Sequence, residues 1–196
     1  MFRALGVSVL AWLPMVSGCT SAQLQSQSTS YVIIDAMSAS SGARPQEFSG
    51  SLASDVVTKV NGAPTPFEDA GRVAMHLAMQ DPGLTPSSTN TITFTQYHVN
   101  YKRADGRNSP GVDVPYDFDG GLTVSVGASG AAVATFVLVR VQAKEEAPLR
   151  ALQGAGGAGT ISTVATVTFY GTDQAGRAVT VTANISINFS DWPDPA

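Results

Sequence analysis

The sequence predicts an all-β domain, an antiparallel β-sandwich carrying one short helix, and three observations predict it. In residues 179–190, Val179, Val181, Ala183, Ile185, Ile187 and Phe189 alternate with Thr180, Thr182, Asn184, Ser186, Asn188 and Ser190. Strict period-two alternation puts one set of side chains against a core and the other in water, which is a strand with one buried face. Further strand-sized apolar runs recur along the chain, separated by segments rich in Gly, Pro, Ser and Asp. That punctuation is the mark of a chain built from short strands and turns. A hydrophobic content of 43% supplies a core and argues against global disorder.

The elements follow in chain order. Met1, Phe2 and Arg3 form a short positively charged start, and residues 4–15 (ALGVSVLAWLPM) are an apolar run. A run of about a dozen residues has the length of a signal-peptide core and is too short to span a bilayer comfortably. Val16-Ser17-Gly18-Cys19 follows, and Cys19 is the only cysteine. An apolar residue, two small residues and a cysteine resemble the lipobox of bacterial lipoproteins. The resemblance implies cleavage after residue 18, leaving 1–18 as a signal peptide, and acylation of the Cys19 thiol. Each buried CH₂ contributes ~0.8 kcal/mol, so two or three acyl chains would hold the protein to a membrane. Residues 20–30 (TSAQLQSQSTS) are polar and aperiodic. With Cys19 they read as a lipidated tether, its flexible part spanning roughly 18 Å. Residues 31–196 form the domain. Thr20, rather than an aspartate, follows the cysteine, which by resemblance to the sorting rule of some Gram-negative bacteria points to the outer membrane.

Within the domain, residues 31–36, 52–60, 114–118 and 122–126 are short strand candidates. Residues 72–80 alternate as Val73, Met75, Leu77 and Met79. Residues 91–102 carry Ile92 and Phe94, then shift phase to Tyr97, Val99 and Tyr101, which predicts a β-bulge at Thr95-Gln96. Residues 132–142 (AVATFVLVRVQ) are apolar on both faces, as a central or covered strand would be. Residues 145–153 are the helical candidate, with Pro148 in the first turn and Gly154 as the stop. Residues 161–170 pair with 179–190 as a hairpin across a loop of turn residues. About eight or nine short strands closed by a long C-terminal hairpin favour an immunoglobulin-like topology over a jelly roll.

The segments FEDAGRV (67–73), YKRADGRN (101–108), GVDVPY (111–116) and VTFYG (167–171) resemble those of an uncharacterised family of β-rich envelope lipoproteins. The resemblance implies a shared exported β-rich fold and carries no reaction.

Removing residues 1–18 takes away one basic residue, Arg3, leaving 10 basic against 15 acidic residues, a net charge of −5. A mildly acidic chain with 13% charged residues lacks the basic stripe of a nucleic-acid binder. No G-x-S-x-G, H-E-x-x-H or phosphate loop is present, and the Gly-rich residues 154–159 lack the lysine of a P-loop. With one cysteine, thiol-based metal sites and disulfides are absent from the domain. The expected function is therefore non-enzymatic: a membrane-held module binding an envelope protein or glycan, or a structural accessory.

Three side-chain groups are candidates for more. Asp105, Asp113, Asp117 and Asp119 lie close together, and Asp117-Phe118-Asp119-Gly120 has a D-x-D-G spacing. Calcium takes six to eight oxygens, so Asp113, Asp117 and Asp119 are the metal candidates of a Ca²⁺-dependent carbohydrate or adhesion module. Asp is equally a turn former, and no Glu completes an EF-hand. A hydrolase using these acids is a further alternative, requiring paired carboxylates across a cleft. Tyr97, Tyr101, Arg103 and Arg107 combine residue types enriched in binding hot spots, with core tyrosines as the competing reading. His76 and His98, the only histidines, lie on the wet faces of their strands.

Overall fold

A computed structural model describes residues 28–194; Cys19, the apolar run before it and most of the tether lie outside the described residues. The domain is all-β. Its strands are β1 (Ser30–Ser40), β2 (Ser51–Asp55), β3 (Thr58–Val60), β4 (Ala63–Thr65) and β5 (Asp69–Met79). They continue as β6 (Ile92–Lys102), β7 (Phe118–Val126), β8 (Ala132–Val139), β9 (Ile161–Asp173) and β10 (Ala178–Ser190). One short helix, α1 (Val141–Glu145), and a 3-10 turn at Leu149–Leu152 join β8 to β9.

The strands form a three-stranded sheet, β1-β5-β8, a five-stranded sheet, β2-β10-β9-β6-β7, and the small β3-β4 hairpin. Pairing is antiparallel except between β2 and β10, which run parallel. The inner faces of the two large sheets share one core. Phe136 of β8 lies 4.9 Å from the Tyr97 ring of β6 and 5.3 Å from the Phe169 ring of β9, centroid to centroid. Such tilted and edge-on aromatic contacts contribute beyond their buried area. The buried Tyr101 hydroxyl crosses between the sheets to donate to the Leu138 carbonyl at 2.6 Å.

Period-two patterning built these faces as expected. On β10, Val179, Ala183, Ile185, Ile187 and Phe189 are buried while Thr182, Asn184 and Ser186 stay outside. The pairing of β6 with both neighbours shifts register between Phe94 and Gln96, the expected bulge. That extra residue returns Ile92 and Phe94 to the same buried side as Tyr97, Val99 and Tyr101.

Four expectations need correction. Residues 52–60 are two strands, β2 and β3, because Val56 turns inward and is fully buried between them. Residues 114–118 form no strand before Phe118; Pro115 has no N–H for a ladder, and Val114 makes only an isolated bridge with Pro110. Strand β8 ends at Val139 and lies at a sheet edge; its second apolar face is covered only toward its end, with Val133 60% exposed, Val137 half-buried and Val139 buried. The helix is earlier and shorter than residues 145–153. Pro148 disfavours helical backbone at Ala147, so α1 stops at Glu145 and the chain resumes as the 3-10 turn after Pro148.

Candidate functional site: a cleft beside the acidic loop

The connection from β6 to β7 is ordered by its own side chains. The Asp105 carboxylate accepts from Arg103 Nη2 at 2.7 Å and Nε at 3.2 Å, and from Arg107 Nη2 at 2.9 Å and Nε at 3.0 Å. Hydrogen bonds from Arg103, then from Arg107, hold its carboxyl down to about 2. Asn108 accepts the Arg103 backbone N–H at 2.7 Å, and Asp113 accepts the Ser109 N–H at 3.2 Å. Gly111, at φ 75°, lies under the Tyr116 ring; a Cβ there would fall 2.3 Å from the tyrosine hydroxyl. Only glycine serves both the backbone angle and that contact.

Between this loop and the β8–β9 connection lies an open cleft of about 750 Å³. Gly111 and Tyr116 line one side and Glu145, Glu146 and Arg150 the other. Tyr116 is half exposed. A second groove shares Glu145, Glu146 and Arg150 and runs to Pro64 in β4 and Pro66 just after it. The far wall is held from beneath. Lys144 of α1 is buried and donates from Nζ to Asp69 Oδ1 at 2.8 Å and to the Asp55 carbonyl at 2.7 Å. Next to it, Glu145 and Glu146 face solvent, and the Arg150 N–H bonds the Glu146 carbonyl at 2.8 Å. A half-exposed aromatic side chain sharing a cleft with two carboxylates and a guanidinium suits a ligand with apolar C–H faces and a periphery of hydroxyl groups.

The sequence-predicted residues divide. Asp119 Oδ1 lies 2.9 Å from His98 Nδ1, and Asp117 Oδ2 lies 3.6 Å from His98 Nε2, so these two acids flank one histidine on the sheet surface. Asp113 serves its turn and Asp105 its arginines, so neither joins the pair of acids at His98. Among the described residues, no group of three or more His, Cys, Asp and Glu side chains is arranged to hold a metal ion. Tyr97 and Tyr101 are 3% and 2% exposed. They belong to the core rather than to a binding surface, which corrects that expectation: the bulge turns both inward. Arg103 and Arg107 clasp Asp105 at the loop. His76 faces outward with Asp35 Oδ1 2.6 Å from Nδ1.

Sequence reasoning missed Tyr116, Glu145, Glu146 and Arg150. Tyr116 ends the GVDVPY segment, but a lone aromatic carries no positional signal, and Glu145, Glu146 and Arg150 fell within the helical candidate, residues 145–153. Among the described residues no helix is long and apolar enough to cross a membrane. Comparison of the chain with protein-family models, curated proteins and solved structures returns no match.

Proposed function

We propose that the protein is a lipid-anchored module of the bacterial envelope that binds, without chemistry, a glycan strand in the cleft between Tyr116 and Glu145–Glu146–Arg150. The observation that carries the binding half is the cleft's lining, one half-exposed aromatic together with two carboxylates and a guanidinium. A pyranose offers an apolar face to the tyrosine ring and hydroxyls to the charged wall. Support for the anchor is the lipobox-like Val16-Ser17-Gly18-Cys19, followed by an uncharged tether. Outer-membrane placement follows the Thr20 reading. For the fold, we propose an immunoglobulin-like sandwich. The order β1-β5-β8 over β2-β10-β9-β6-β7, with hairpin-joined β9 and β10 beside β6, supports it.

Two measurements test the proposal. Cys19→Ala should move the full-length protein from the membrane to the soluble fraction and remove its lipid mass; retention in the membrane overturns the anchor. Co-sedimentation of the wild-type chain with purified peptidoglycan sacculi should be lost, about tenfold or more in affinity, in Tyr116→Ala. Absence of wild-type binding, or equal binding by the variant, overturns the glycan site.

A further inference from the structure

Beneath the cleft wall, Lys144 and Asp69 form a contact that the binding reading does not use. Asp69 opens β5 and is fully buried; Lys144, in α1, is 1% exposed. Lys144 Nζ lies 2.8 Å from Asp69 Oδ1. Ser54 Oγ donates to Asp69 Oδ2 at 2.5 Å and the Gly42 N–H donates to Oδ1 at 2.8 Å. Nζ also donates to the Asp55 carbonyl at 2.7 Å. The two side chains are thus fixed from both ends, in contact, and shut away from water. Amide formation requires Nζ to give up a proton and the carboxyl to take one, and direct contact lets that proton pass within the pair without changing its net charge. The amine and carboxylic acid so formed would touch, held as an intramolecular pair at very high effective concentration.

We propose that Lys144 and Asp69 become joined by an amide bond, formed by the folded chain itself. Nζ adds to Asp69 Cγ, forming the C–N bond. The carboxyl oxygen that carries the developing negative charge receives a hydrogen bond, from the Gly42 N–H if it is Oδ1 or from Ser54 Oγ–H if it is Oδ2. A proton moves from nitrogen to the other oxygen, the C–O bond breaks, and water leaves. Amine and acid give amide and water, and nothing is oxidised or reduced. The chain's only cysteine lies at position 19, before the domain, so no disulfide can staple the strands. The amide would tie the start of β5 directly to the helix that forms the cleft's far wall.

The test is a peptide map of the full-length protein purified from membranes, denatured and digested with trypsin. The expected product is residues 60–72 joined to residues 141–150 through Asp69 and Lys144. Its mass is one water below the two peptides together, with no cleavage after Lys144. In Asp69→Asn the same joined product should form with loss of ammonia instead, and in Lys144→Arg it should vanish. Recovery of separate wild-type peptides, one ending at Lys144 and one carrying an unmodified Asp69, overturns the proposal whatever the variants do.

Discussion

Two aspartates in this domain are each clasped by cations, and water gives them opposite characters. Asp69 and Lys144 are 0% and 1% exposed; Asp105 and Arg107 are 41% and 63% exposed. Burial pushes the Asp69 carboxyl up despite the attraction and hydrogen bond of Lys144, with Ser54 and Gly42 also opposing the rise. At the loop the arginine hydrogen bonds meet little desolvation, and the Asp105 carboxyl is pulled down. The same pairing chemistry therefore has opposite net effects on proton affinity. Desolvation outweighs attraction in the dry site, and attraction outweighs desolvation in the wet one. The dry contact locks β5 to α1; the wet one shapes a loop without holding the fold.

The largest break in that comparison comes from removing one partner of the dry contact. Asp69→Ala leaves Lys144 Nζ buried with only the Asp55 carbonyl as partner and removes any amide between the two side chains, which should cost about 3–5 kcal/mol. For a domain of this size that is roughly 6–20 °C in Tm, read by thermal and denaturant unfolding. A loss under about 1 kcal/mol would mean that the buried contact holds no more of the fold than a surface pair does. A smaller loss is expected from Tyr101→Phe. Tyr101 is buried, and its hydroxyl is the donor to the Leu138 carbonyl. Without it a buried carbonyl goes unpaired, costing about 1–3 kcal/mol by the same measurement.

How much of this the sequence shows depends on distance along the chain. Residues 179–190 could be read almost residue by residue, because period-two alternation is local and one buried face enforces it. The bulge at Thr95-Gln96 was equally legible, since a phase change in the apolar pattern has only one cheap explanation in a strand. Lys144 was not legible. It sits in a run of charged residues, Lys144-Glu145-Glu146, that looks like a solvated face. Its partner Asp69 lies 75 residues away, and only the closing of the two sheets makes that contact. The cleft is unreadable for the same reason: Tyr116 and Arg150 come from different connections. Tyr97 and Tyr101 fell on the boundary. Their shared face was evident, but whether that face met core or ligand depended on the sheet lying above it.

The smallest effect belongs to the wet clasp, and its sign with pH is the most specific thing about it. Asp105→Asn should leave the Tm at neutral pH unchanged within error, because an exposed pair is screened and each side chain is ordered at an entropic cost. Acid should still reach the wild-type loop. A carboxyl at about 2 in the folded loop, against 3.8 as its ordinary value, contributes order that is complete above about pH 4. That order is lost as pH falls through the folded value, so the window runs from about 4 down to about 2. Proton exchange and chemical shifts of the Arg103 and Arg107 guanidinium N–H groups, followed by NMR, should move through that window in the wild type and stay flat in Asp105→Asn. Movement centred near the ordinary carboxylate value instead would show that the arginines do not hold Asp105 in solution. The contrast between dry and wet clasps would then reduce to burial at Asp69 alone.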